Sequence, residues 1–435
     1  MAQASFPGGR HNHGEAVYAL KTAKDLDPLI ERAGDAHCVM LGEASHGTHE
    51  FYTWRTAITK RLIEEKGFRF IAVEGDWPDC YSLNRYIKGY ENRYREPREL
   101  LHSFRRWPTW MWANWETDAL VSWLKAFNDR AAADKKVGFY GLDIYSLWES
   151  MEAIMSYLER RDPDAALFAQ RALHCFEPYG EDAYAYVRAQ YNMDVSCREA
   201  ILKLLTEMRH KAPAYDRDPE AALNMEQNAY IAANAEAYYT NMMQLNDYTW
   251  NLRDRHMMET LERLMLFYGS DARCIIWAHN SHIGDARYTD MQQEGLLNIG
   301  QLAREQFGAY DTVLLGFGTY AGTVIAGRQW DAPMEVMNVP DAMPGSVEDI
   351  LHNDASDDRL LLFEAGYTGR FSKPLLHRAI GVVYNPAREH HGNYVPTVLH
   401  KRYDAFLYVD QTRALHPLHL HPEGAAVPET YPFSF

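Results

Sequence analysis

The sequence predicts an α/β protein: a mainly parallel sheet core with crossover helices, and a large helical insertion forming a cap over the cleft. Three observations carry the prediction. Short apolar runs rich in β-branched and aromatic residues recur along the chain, and continuous rather than alternating hydrophobicity suits a sheet covered on both faces. The first of these runs are separated by helical patterns, the arrangement of parallel strands joined by crossover helices. From about Ser146 to Gly269 strand signals vanish and apolar residues recur at helical spacing.

The expected strands are Cys38–Leu41, Phe70–Val73, Val137–Gly141, Cys274–Ala278, Val313–Phe317, Thr323–Ala326, Leu360–Phe363, Ile380–Tyr384 and Phe406–Val409. After the first strand, Phe51, Ile58 and Leu62 share one helical face, and Gly67 supplies the stop. Arg55 falls on that inward face, where an unpaired charge is very costly, so it should meet a carboxylate. In the helical stretch the apolar positions are Met225, Ala229, Ala232, Tyr239 and Met242, then Met257, Leu261 and Leu264. The expected organisation is residues 1–145 as the first part of the α/β core, 146–269 as the helical insertion and cap, and 270–435 as the second part of the core. Gly316-Phe317-Gly318-Thr319-Tyr320-Ala321-Gly322 imitates a dinucleotide fingerprint, but its third glycine comes one position late. It reads as a turn between two strands.

Composition narrows the function classes. With 47% hydrophobic and 24% charged residues the 435-residue chain has a packed core. Its 60 acidic against 44 basic residues give a net charge of -16, a field that repels phosphate backbones and anionic lipid, so neither nucleic acid nor membrane is an expected partner. Five cysteines without CxxC spacing argue against a disulfide framework and a structural zinc site. The N-terminus lacks a basic start and an apolar stretch for secretion, and no run approaches a membrane span, so the expected compartment is the cytoplasm.

The chemistry collects at strand ends. The first strand runs into Gly42-Glu43-Ala44-Ser45-His46-Gly47-Thr48, the second into Glu74-Gly75-Asp76, the third into Asp143, and the fourth into His279-Asn280-Ser281-His282. In open α/β sheets, ligands bind at the carboxyl ends of strands. Three residues apart, Glu43 and His46 can meet, and a carboxylate beside imidazole fixes its tautomer and raises its basicity, as a general base on water requires. Glu74 can orient a histidine, bind Arg55 or act as acid or base. Asp143 either joins the site or caps the next helix. His279 and His282 can steady an oxyanion.

The same histidines with Glu43 and Glu74 could also ligate zinc or manganese, but HExxH is missing. The expectation is no metal and no cofactor. No G-x-S-x-G elbow is present, and Ser45 and Ser281 merely neighbour histidines. Trp110 and Trp112, within a cluster of indoles followed by Glu116, serve the core or line the wall of an apolar pocket for a bulky, largely apolar small molecule.

Taken together, the G-E-x-S-H-G segment at Gly42–Gly47, Val73-Glu74-Gly75-Asp76, Gly141-Leu142-Asp143, Arg253-Asp254 and A-H-N-x-H at Ala278–His282 resemble the erythromycin esterase family. The likeness in order and spacing runs roughly from Leu26 to Asp410. It implies an α/β core with a large helical portion, and hydrolysis of a cyclic ester in macrolide-inactivating members. It implies a general-base histidine, His46 here, that activates water without a serine nucleophile or metal. Glu43, Arg55, Glu74, His279 and His282 become active-site groups by the same match. The expected function is therefore hydrolysis of a carboxylic ester, with macrolide ring opening as one form of it. Its rivals are a metal-dependent hydrolase using the same residues and a non-catalytic small-molecule binder.

Overall fold

Cys38–Leu41, four apolar residues with no room for solvent on either face, form a strand with parallel neighbours on both sides. The computed structural model describes residues 10–12, 14–180, 182–193, 196–211, 219–242, 248–420, 427–428 and 430–433. The chain divides into two compact units, one of Met1–Ala72, Tyr86–Gly138 and Asp271–Phe435, the other of Val73–Arg85 and Phe139–Ser270.

In the first unit the strands follow the order Arg10–Asn12, Glu15–Ala19, Arg359–Phe363, Ala405–Thr412, Thr312–Gly327, Cys38–Leu41 and Cys274–Trp277. The last four run parallel to one another. The outer three pair antiparallel, and Met334–Val339 adds antiparallel to the far half of Thr312–Gly327. This is the expected α/β architecture, parallel at its centre. The helix His49–Lys66 buries Phe51, Ile58 and Leu62 and ends at Gly67, whose φ of 70° lets its N–H reach the Leu62 carbonyl.

Two expectations for this unit are corrected. The glycine run at Gly316–Gly322 is no turn: Thr312–Gly327 is one continuous strand of 16 residues. The glycines are there because large groups lie against them. A Cβ at Gly316 would sit 2.7 Å from the Tyr403 ring, one at Gly318 would sit 2.7 Å from Phe406, and Gly322 adopts φ +146° against the Thr412 backbone. Nor is Ile380–Tyr384 a strand. The strand is Leu375–Arg378, paired with Tyr394–Thr397, and Ile380 and Val383 make single bridges to Ser45 and Gly327.

In the second unit, the later residues of two neighbouring strands, Phe70–Asp76 and Gly138–Asp143, come together. Gly141 has to be glycine, because a Cβ would collide with the Gly75 carbonyl and the Asp76 backbone. From there the described chain is helical: Leu147–Arg161, Pro163–Phe176, Ala183–Met193, Arg198–Lys211, Ala221–Met242 and Tyr248–Tyr268. Leu147, Met151, Ile154, Leu158, Met225, Ala229 and Ala232 belong to one buried cluster, each large aliphatic side chain contributing about 1.5–3 kcal/mol. The sequence argued against a disulfide framework, and the structure holds a single bond among the described residues. Cys175 and Cys197 are bonded, their Cα atoms 5.7 Å apart, while Cys38, Cys80 and Cys274 are free and buried. Spacing could not show this pair, because the turn of helices that joins them is set by tertiary packing. Among the described residues no helix is long and apolar enough to cross a membrane.

One buried group in this unit gives a pH prediction. His256 is 1% exposed, and its Nδ1 accepts from the Asn234 amide at 2.8 Å. Burial, then the nearby Arg263 charge, push its pKa from 6.5 down to about 4. The unfolded chain therefore takes up the proton first, so stability is complete above pH 6.5 and lost as pH falls toward 4. The loss is about 3 kcal/mol. Urea unfolding of the wild type and His256→Gln at pH 7 and pH 4 should show the variant losing about 3 kcal/mol less over that interval. Identical losses would remove His256 from the account.

Candidate active site

The parallel pairing of Cys38–Leu41 with Cys274–Trp277, Leu41 opposite Trp277, sends both chains out at one edge of the sheet. Glu43 and His46 follow the first strand, and His279 and His282 follow the second. The two exits are tied together, since the Asn280 N–H donates to the Glu43 carbonyl at 2.9 Å. The Asn280 amide in turn holds both the carbonyl and the N–H of Phe317 on the long strand. Gly42 and Gly47 permit this crowding: a Cβ on the first would strike the Asn280 side chain, and one on the second the Ile325 carbonyl.

Glu43 stands at the centre of the group. Its Oε1 lies 2.9 Å from Nδ1 of His46, and its Oε2 accepts from Arg55 Nη2 at 2.6 Å. A carboxylate only accepts, so Nδ1 of His46 carries the proton and Nε2 keeps its lone pair. Arg55 is the charge that the helical pattern placed on the inward face, and Glu43 is the carboxylate it meets. It is fully buried, and its guanidinium carbon sits 4.4 Å from the Tyr52 ring centroid and 4.5 Å from that of Trp277. Among the described residues its Nε and Nη1 make no hydrogen bond, so the aromatic faces supply the remaining stabilisation.

The His46 and His279 rings lie 4.9 Å apart between centroids. Both are buried, at 7% and 5% exposure. Nδ1 of His279 accepts from the Ser281 N–H at 3.2 Å and lies 2.8 Å from the Ser281 hydroxyl. The serine–histidine contact is a local cap on the short helix Asn280–Ile283. His282, 2% exposed, lies on that helix.

The other sequence-derived candidates stand elsewhere. In the second unit Arg253 holds Glu74 through Nη2 at 2.7 Å and Asp143 through Nε and Nη2 at 2.9 and 2.7 Å. Burial works to lower the Arg253 pKa, but the Asp143 charge, with Tyr145 and Glu74, holds it well above the ordinary value. Asp143 does not cap the following helix, whose N-cap is Ser146. Arg253 stands in the motif Arg253-Asp254 without an assigned role, and its polar neighbours Asn251, Asp254, Arg255 and His256 gave no local signal that it would meet two carboxylates. In the first unit Trp110 is wholly buried and meets Trp107 edge-on at 5.3 Å, and Trp112 packs toward Tyr52 at 6.1 Å. Glu116 is buried between His49 and His416, each with Nδ1 at 2.6 Å from its Oε1. Sequence reasoning missed that convergence, because the three residues lie 67 and 300 positions apart.

The comparisons with known proteins follow this geometry. The family model described as erythromycin esterase matches residues 63–412. The erythromycin esterase type II of Escherichia coli is 23% identical over 325 residues, covering 69% of this chain and 73% of that protein. A solved Bacillus cereus protein superposes with a TM-score of 0.76 at 19% identity, covering 92% of this chain and 96% of its own. A mutant of the erythromycin esterase EreC in its open conformation superposes with a TM-score of 0.65 at 16% identity, covering 91% and 98%. At these identities the solved structures speak for the fold, and the family match, over most of the chain, points to a hydrolase acting on a small molecule. The chain belongs to the erythromycin esterase family.

Proposed function

We propose that this chain hydrolyses a carboxylic ester of a bulky, largely apolar small molecule, with His46 as the general base on water. The observation that carries the reading is the buried relay Arg55–Glu43–His46. It commits Nδ1 of His46 as a donor and leaves Nε2 as the basic atom, the arrangement that general-base catalysis needs. Water gives a proton to Nε2 as its oxygen attacks the ester carbon. The tetrahedral oxyanion then collapses, and the leaving alkoxide takes that proton back. His279, whose Nδ1 accepts from Ser281, presents Nε2 as the donor side of its neutral ring and steadies the oxyanion. His282 is assigned the positioning of that ring.

The same hydrogen bonds support a metal-free reaction. Both oxygens of Glu43 and Nδ1 of His46 are already engaged within the relay, so a cation there would have to displace Arg55 or the imidazole. Macrolactones are the first esters to test, since a relative carries the name erythromycin esterase. A cytoplasmic setting belongs to this proposal, and the Cys175–Cys197 bond is the observation that pulls against it.

The test is single-turnover hydrolysis of erythromycin and a panel of bulky esters in ¹⁸O-water, read by mass spectrometry with and without chelator. Direct attack by water puts one ¹⁸O into the acid product of the first turnover, undiminished by chelator. An unlabelled first-turnover acid would mean that a protein carboxylate attacks in place of water, and a pre-steady-state burst of alcohol would reveal a serine acyl-enzyme, which also labels the acid; either result would overturn the mechanism. No turnover of any ester would overturn the reaction class.

A further inference from the structure

Glu116 sits in the first turn of the helix Trp115–Arg130 and is 2% exposed. Two imidazoles from distant segments turn the same atom, Nδ1, toward the same carboxylate oxygen: His49 at 2.6 Å and His416 at 2.6 Å. One ligand atom from each of the three residues lies within 4.8 Å of the other two. Two neutral imidazoles and a carboxylate in this compact grouping are the borderline donor set that zinc and its neighbours prefer. In a tetrahedral site, ligand atoms about 2.0–2.1 Å from the ion stand roughly 3.3 Å from one another. Opening the two hydrogen bonds by less than an ångström brings each nitrogen to that spacing from the carboxylate oxygen.

The surroundings suit a closed structural ion with one way in. Phe433 covers the group, stacked on His416 at 5.8 Å and edge-on to His49 at 5.0 Å. The His416 side chain is 39% exposed and gives an ion access. His416 also opens the run His416-Pro417-Leu418-His419-Leu420-His421, a density of imidazole typical of metal-binding tracts.

We propose that His49, Glu116 and His416 form a binding site for one divalent transition-metal ion of the zinc class, separate from the His46 group. The ion fastens the segment that follows the strand Ala405–Thr412 to the helices His49–Lys66 and Trp115–Arg130. Each imidazole binds through Nδ1 and carries its proton on Nε2, so the two hydrogen bonds to Glu116 are replaced by coordination. The site uses none of the residues assigned to hydrolysis, so its test is independent of that reading, and it runs against the expectation of a chain without metal.

The experiment strips the full chain with chelator, returns it to buffer and adds zinc, with uptake read by elemental analysis and calorimetry. Cobalt(II) absorption reports the ligand geometry. Wild type should bind one equivalent, gain several degrees in melting temperature and resist proteolysis near His416. His416→Ala, a partly exposed position whose folding is checked by circular dichroism, should lose the equivalent and the gain, and His49→Gln should do the same. His279→Asn, run in parallel, should keep both. No uptake by wild type, equal uptake by His416→Ala, or loss of the equivalent in His279→Asn with retention in His416→Ala would overturn the proposal.

Discussion

His46→Asn is expected to lower kcat/KM for ester hydrolysis by about 10³-fold, within the range that general-base catalysis supplies, and to leave folding intact. Asparagine nearly matches the imidazole in reach to Glu43, and its amide can still donate to Oε1, the bond now made by Nδ1 at 2.9 Å. What it lacks is a second nitrogen with a basic lone pair. Because the hydrogen bond to Glu43 survives, the buried Glu43–Arg55 pair keeps its environment, and the loss should appear in kcat rather than in the melting temperature. Steady-state kinetics with thermal melts of both proteins separate the two readouts. Unchanged kcat in a folded variant would remove His46 from the chemistry.

The second large effect concerns stability. Arg55→Met should destabilise the chain by about 3–5 kcal/mol, the usual consequence of removing one partner from a buried ion pair. Glu43 is 2% exposed and Arg55 fully buried, so the carboxylate left behind has little water to turn to. The double variant Glu43→Leu, Arg55→Met should recover much of that loss, since two apolar groups replace two charges and methionine retains contact with Tyr52 and Trp277. Activity should stay lost in the double variant, because there His46 no longer has its Glu43 acceptor. Denaturant unfolding of the four proteins gives the coupling energy directly. A loss below about 1 kcal/mol in Arg55→Met would mean that the pair is not the source of order at this site.

Much of the fold was legible because its signals are local. Cys38–Leu41 and Cys274–Trp277 are apolar throughout and fully buried, as strands with parallel neighbours must be. The helix His49–Lys66 announces both its inward face and its glycine stop. Thr312–Gly327 was misread because glycine is ambiguous: the same residue that permits a turn also admits an aromatic ring against a strand, and the rings belong to Tyr403 and Phe406 far along the chain. The edge strand Met334–Val339 escaped because its apolar residues do not alternate cleanly with Glu335 and Asn338, and one of them, Val336, faces solvent. In the site, Glu43 and His46 were readable from a three-residue spacing, and Arg55 from its place on a buried face. The partners of Glu74, Asp143 and Glu116 were not, since only tertiary folding brings Arg253, His49 and His416 to them.

The strand Ala405–Thr412 lies between Thr312–Gly327 and Arg359–Phe363, and both of those are made before it. During synthesis the sheet is therefore missing a plank from its interior, not from its rim. Until residue 412 has emerged, the Thr312–Gly327 strand and the five-residue strand Arg359–Phe363 both lack the strand that pairs with them in the finished sheet. A nascent chain in that condition invites intermolecular pairing, and it depends on chaperones or on rapid closure once the last plank arrives. Yield in a cell is then expected to follow how fast the ribosome crosses the stretch from 363 to 412, a stretch that supplies none of the groups assigned to the chemistry at His46.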